Sequence, residues 1–209
     1  MECSRASERL GKYKAVVRLI AFIGFGWIIC TDAQAQNATS WLVPPAGQVC
    51  TSRASPSNGV DYTSTSTFTG LVDGNYCFQI QNQRSGTTRT CVNGDGNPVE
   101  INGWKRTPHS GFYSWPLTVG KEWEFTYLAT SSSGATSSWI KHVKIVSYEK
   151  ILAGGQQYNA FKIEATNTKT AGGYVVLETA YYAPAIGKIV KYDGGMDFGK
   201  SELTSCSPK

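Results

Sequence analysis

The chain is poor in the residues that catalysis and metal binding most often use. It has two histidines, His109 and His142, and no Cys-x-x-Cys pair, so nothing stands at the spacing of a zinc site. No Gly-x-Ser-x-Gly elbow presents a nucleophile, and no glycine-rich loop opens a helix to cradle a phosphate. Gly94-Asp95-Gly96-Asn97 lacks the ligand pattern of a calcium loop and reads as a turn. Glu122 and Glu124 share a strand face about 7 Å apart, inside the range of an inverting glycosidase pair. They alternate with aromatic residues, however, as the wet side of any strand does. The expectation is a protein that is not an enzyme and uses no cofactor or metal. Charged residues make up 17% of the chain and form no block of one sign, which gives nucleic-acid binding no compositional support.

A membrane-spanning run is also missing. The N-terminus carries Arg5, Arg9, Lys12 and Lys14, followed by an apolar stretch over 15–30 that Arg18 interrupts. The charge-free part, Leu19 to Cys30, is 12 residues long, well short of the roughly 20 that cross a bilayer. Thr31-Asp32-Ala33-Gln34-Ala35 then ends in the small-x-small pattern of a cleavage site. Residues 1–35 are therefore expected to be a cleaved signal peptide, with the chain periplasmic or secreted. Removing 35 of 209 residues leaves 174, a single domain over 36–209 with 15 Lys and Arg against 12 Asp and Glu.

What remains reads as β-structure. Short alternating runs are separated by Gly, Asn, Asp and Ser, and no segment has convincing helical periodicity. Strands are expected at 60–69, 75–83, 87–93, 98–101, 121–130, 138–149, 158–167, 174–182 and 188–192. They fall into two weak halves, 60–103 and 116–198, joined by an irregular aromatic connection over 105–116. In 121–130, Trp123, Phe125 and Tyr127 alternate with Glu122, Glu124 and Thr126, one face dry and one wet. The expected fold is all-β: an antiparallel meander of about nine strands curled into an incompletely closed barrel, since a flat sheet would expose its edges and one apolar face.

Four cysteines survive processing, Cys50, Cys77, Cys91 and Cys206, and an even number in an exported chain points to disulfides. Three pairings are open. The parity of the paired runs 75–83 and 87–93 favours Cys77 with Cys91, both turned away from the core, where side chains of a non-hydrogen-bonded pair come close. Cys50 and Cys206 are then left to each other.

The second half resembles an uncharacterised family of exported bacterial β-domains over roughly residues 113–192. The likeness is carried by Pro116-Leu117-Thr118-Val119-Gly120-Lys121-Glu122-Trp123, Val146-Ser147-Tyr148-Glu149, Gly154-Gly155 and the run 158–164 (YNAFKIE). Its most specific piece is Tyr181-Tyr182-Ala183-Pro184 followed by Gly187-Lys188-Ile189-Val190-Lys191-Tyr192. The resemblance implies a curved antiparallel sheet in the periplasm and no particular activity.

Aromatic content is the remaining functional signal. Trp115, Trp123, Phe125 and Tyr127 are expected to line a site for a hydrophobic or lipid-like molecule on the curved sheet. The alternative is an envelope interaction or inhibitor module that binds a protein or glycan through exposed loops at 84–86 and 105–114, with Trp104, Phe112 and Tyr113 as its contact rings.

Overall fold

The computed structural model describes residues 37–57 and 59–207. The expected signal peptide, 1–35, lies outside the described residues. Fourteen strands and one helical turn follow in order: β1 (Asn37–Ala38), β2 (Val49–Ser55), β3 (Tyr62–Val72), β4 (Asn75–Asn82), β5 (Gly86–Val92), β6 (Pro98–Ile101), β7 (Trp104–Thr107), β8 (Leu117–Thr118), β9 (Glu122–Thr130), β10 (Thr136–Ala153), β11 (Gln156–Lys169), β12 (Val175–Ala183), β13 (Lys188–Asp193), α1 (Gly195–Phe198) and β14 (Lys200–Ser207).

Twelve of the strands form one closed antiparallel barrel, in the order β10-β11-β12-β13-β14-β2-β3-β4-β5-β6-β7-β9, with β9 pairing back to β10. This corrects both the expected count of about nine and the expected gap. The nine expected strands are all present. The three additional ones are β2, β7 and β14, and they close the barrel. β7 bridges β6 and β9, joining the two halves along one seam. β14 and β2 pair with each other and link β13 to β3 along the other. Without these three strands the halves would be open sheets; with them the order of strands closes on itself, which limits the aggregation hazard of an open edge.

Hairpin chemistry explains much of the register. Asp73-Gly74 joins β3 to β4 and Asn102-Gly103 joins β6 to β7, with φ of 50° and 76° in the first pair and 50° and 81° in the second. Gly154-Gly155, with φ of 55° and 77°, joins the long β10 and β11. Positive φ at both central positions is the geometry whose twist matches the flanking strands, and Asn-Gly, Asp-Gly and Gly-Gly are the pairs that tolerate it. A Cβ at Gly154 would stand 2.6 Å from the Leu203 carbonyl oxygen, so the hairpin tip lies against β14.

The core has two parts. Val143, Ile145, Phe161, Ile163 and Tyr182 pack with Ala38 and Leu117 of the small β1–β8 ribbon. Cys50, Ala153, Ala160, Ala183, Val190 and Leu203 form the second cluster. Ala160 and Phe161 are sequence neighbours, point to opposite faces of β11, and are both fully buried, one in each cluster. The barrel wall is therefore covered on both faces at this level.

Both disulfides form as the parity argument favours, Cys77 with Cys91 and Cys50 with Cys206, each between directly paired residues. The expectation that Cys77 and Cys91 face outward needs correction. They are 1% and 5% exposed, and Phe78 on the opposite face of β4 is also buried, so β4 too is covered on both sides.

Candidate functional site

One face of seven strands that follow each other around the barrel, β6, β7 and β9 to β13, lines a cavity of about 710 Å³. This lies within the roughly 300–1,000 Å³ of pockets that hold small organic ligands. Its floor is Tyr127 and Ala129 of β9, Val143 of β10, and Ile163 and Asn167 of β11, all buried. Val143 and Ile163 belong to the first core cluster, so the floor is the top of the core. The rim carries the exposed side chains of Trp104, Ile189 and Phe198, which are 42%, 40% and 55% exposed.

Period-two alternation places these groups. In β9 the residues Trp123, Phe125, Tyr127 and Ala129 share the dry face while Glu122, Glu124, Thr126 and Leu128 are exposed, as the sequence pattern requires. In β10 the inward set is Ser137, Trp139, Lys141 and Val143, which puts a cation between Trp139 and Val143. In β12 it is Val176, Glu178, Ala180 and Tyr182. Lys141 faces Asn167 directly, and Glu178 faces Ala165, so β11 separates the two charged residues. Lys141 Nζ nevertheless reaches Glu178 Oε2 at 2.7 Å, and each side chain is 13% exposed.

Around that pair the polar groups form a chain. Asn167 Nδ2 donates to the Tyr127 hydroxyl at 3.0 Å and stands 3.4 Å from Glu178 Oε1. Burial raises the Tyr127 phenol above its ordinary pKa, and raises Tyr192, another lining residue, more strongly, so both remain neutral donors. The Arg106 guanidinium lies 4.9 Å from the Tyr127 ring centre and 5.5 Å from that of Phe112. Lys141 Nζ lies 5.5 Å from the same Phe112 ring. Trp139 stacks parallel to Tyr127, ring centres 6.4 Å apart.

The aromatic residues expected at a site are redistributed. Of those expected to bind a ligand, Tyr127 lines the cavity, while Trp115, Trp123 and Phe125 pack against the first core cluster. Trp123 Nε1 donates to the Gly111 carbonyl at 2.6 Å, and Phe125 meets Phe112 edge to face at 4.8 Å. These rings hold the connection that carries Phe112. Trp115 stacks on Tyr113 and donates to the Asp95 carbonyl. The residues expected to meet a partner, Trp104, Phe112 and Tyr113, all line the cavity, with Phe112 and Tyr113 half-buried and Trp104 exposed at the rim. His142 is half-exposed beside Glu122, and Glu122 pairs with Lys144, so the wet face of β9 is engaged with that of β10.

Sequence reasoning missed Arg106, Lys141, Glu178 and Asn167. Lys141 and Glu178 sit at inward parity on strands that were located, and that parity was the available signal. Arg106 fell in the stretch read as irregular. The Asn102-Gly103 pair directly before it is the hairpin signal that locates β7.

No protein-family model matches the chain, and no curated protein matches it. Solved structures do. An inferred exported protein of YmcC-like fold from Bacteroides fragilis NCTC 9343 aligns with a TM-score of 0.55 at 10% identity, over 82% of this chain and 100% of that one. The hypothetical lipoprotein YmcC from Escherichia coli K12 aligns at 0.45 and 9%, over 77% and 85%. An inferred lipoprotein from Parabacteroides distasonis ATCC 8503 aligns at 0.48 and 10%, over 81% and 100%. The likeness to the Bacteroides protein is one of fold. It extends well beyond the stretch 113–192 on which the sequence resemblance rests, so the cysteine-bearing first half belongs to the same architecture.

Proposed function

We propose that the chain is an exported, non-catalytic binding protein that holds an apolar, lipid-like molecule in the barrel cavity. The observation that carries this reading is the cavity itself, about 710 Å³ lined by Phe112, Tyr127, Trp139, Val143, Ile163 and other apolar groups around a few polar ones. A buried apolar surface of that size gains from enclosing hydrocarbon, at about 25 cal/mol for each Å² removed from water. The exposed rim residues Trp104, Ile189 and Phe198 give an apolar ligand a route past side chains that tolerate it. Export is supported by the basic, apolar and small-x-small order of residues 1–35 and by the description of the Bacteroides protein of the same fold.

The alternative, docking of an envelope protein or glycan through Trp104, Phe112 and Tyr113, has less support, because only Trp104 of the three is exposed.

Native mass spectrometry of the chain exported into a periplasm and purified without detergent tests the reading. A retained adduct that organic extraction yields as an apolar molecule is the expected result. A bare polypeptide mass that also takes up no long-chain amphiphile on titration would overturn it.

A further inference from the structure

The charge of the cavity lining is not balanced. Its described side chains include two cations, Arg106 and Lys141, and one carboxylate, Glu178. Glu178 is committed: one oxygen lies 2.7 Å from Lys141 Nζ and the other faces the Asn167 amide. Arg106 is placed differently. Its guanidinium rests against the rings of Tyr127 and Phe112, and it enters none of the ion pairs formed among the described residues. The side chain also hydrogen-bonds the Tyr127 hydroxyl, while its Nε is buried with no hydrogen-bond partner.

The Arg106 side chain is half-buried in this lining. Aromatic faces offset part of the cost of burying its charge. They offer little to the in-plane N–H donors, whose preferred partner is the planar fork of a carboxylate or phosphate. A buried donor left unpaired is costly, so this arrangement fits an anion better than it fits an empty or neutral cavity. With Glu178 neutralised by Lys141, the charge left to match is a single positive one.

We propose that the ligand of this cavity is an amphiphile with an acidic headgroup, a carboxylate or a phosphate, which Arg106 binds while the tail lies along Tyr127, Val143 and Ile163. This rests on the reading of the cavity as a site for an apolar molecule and specifies the headgroup. The Tyr192 hydroxyl stands as a further donor in the same lining, whereas that of Tyr127 is bound to the Asn167 amide.

The test is calorimetric titration of the exported, disulfide-bonded protein, freed of any carried ligand, with dodecanoic acid, monododecyl phosphate and 1-dodecanol at pH 8. At least one of the two acids should bind about tenfold or more tightly than the alcohol, as expected when a charged hydrogen bond of roughly 1.5–3 kcal/mol is made. Whichever acid is preferred identifies the headgroup. In Arg106→Gln the acids should fall to within about twofold of the alcohol, whose own affinity stays near that of the parent. Equal binding of acids and alcohol by the parent protein would overturn the headgroup assignment and leave the cavity reading standing. An acid preference that survives Arg106→Gln would overturn the role of Arg106. Failure of all three probes to bind would overturn the cavity reading as well.

Discussion

Lys141 and Glu178 lie on strands that do not pair, with β11 between them, yet their charged groups meet 2.7 Å apart on the cavity face. Each is nearly withdrawn from water, so neither can lose its partner cheaply. Lys141→Met is expected to leave an uncompensated carboxylate and to cost about 3 kcal/mol, the low end for breaking a buried pair because some solvent access remains. Replacing both, Lys141→Met with Glu178→Leu, is expected to recover most of that loss. Urea denaturation of the two single variants and the double variant measures the coupling; additive losses would show that the pair does not act as a unit.

The two disulfides close loops of different length, and the chain-entropy argument ranks them. Cys77 and Cys91 are 14 residues apart, and Cys50 and Cys206 are 156 apart. Cys77→Ala/Cys91→Ala is expected to cost about 3 kcal/mol and Cys50→Ala/Cys206→Ala about 5 kcal/mol. The second bond also ties β2 to β14, the seam that completes the barrel. Denaturation midpoints of the two double variants give the order, and a larger loss from the Cys77–Cys91 pair would contradict it.

Lys188 supplies a pH dependence of defined sign. Burial lowers its pKa to about 8; its ammonium lies 4.2 Å from the Phe78 ring centre, and it enters no ion pair among the described residues. Between pH 8 and the ordinary lysine value near 10.4 the unfolded chain holds the extra proton, so stability rises with pH across that window. Above pH 10 the trend turns. Tyr182 is raised by burial to about 12, and Tyr113 and Tyr192 are raised too, so the unfolded chain ionises first and stability falls. Lys188→Met is expected to be more stable than the parent at pH 7 and to lose most of that advantage by about pH 10. Urea midpoints at pH 7, 8.5 and 10 read the difference; an advantage that does not shrink would remove Lys188 as its source.

Gly111 sits where no other residue fits. Its φ is 91°, and a Cβ there would stand 2.5 Å from the Phe125 ring. Its carbonyl accepts the Trp123 indole bond, and the next residue, Phe112, lines the cavity. Gly111→Ala should therefore combine about 1–3 kcal/mol of backbone strain with a displaced Phe112. Denaturation reports the first effect and a weaker amphiphile affinity the second. Loss of stability with unchanged binding would separate Phe112 from the site.

The division between what was legible and what was not follows the side chains. β9 announces itself through Trp123, Phe125 and Tyr127, because large rings alternating with carboxylates make a strong period of two. β2 (VCTSRAS) and β14 (KSELTSCS) have no such contrast; serine and threonine suit either face, so these two of the three strands that close the barrel carry almost no signal. The cavity was partly legible for the same reason. Its aromatic character follows from strand parity, but for the rings of the connection, Phe112 and Tyr113, the sequence leaves a buried and an exposed placement equally open, because nothing local shows that a loop folds inward. The charges of Lys141 and Glu178 give no signal because charge on a strand usually marks the wet face, and Arg106 gives none because the stretch that holds it reads as irregular. Only long-range closure makes that face the inner one.

The central claim is that the cavity itself, rather than an outer surface, takes the ligand. Ala165 lines it on β11, opposite Glu178 and Val143. Ala165→Phe would fill that space while leaving the outer surface untouched. The most direct test is fluorescence titration of the parent protein and Ala165→Phe with the same long-chain amphiphile, after circular dichroism and disulfide mapping show that both are folded alike. The account predicts saturable binding by the parent and a loss of about tenfold or more in the filled variant. Equal affinity in the two proteins would contradict it, and would move the site to the outside of the barrel.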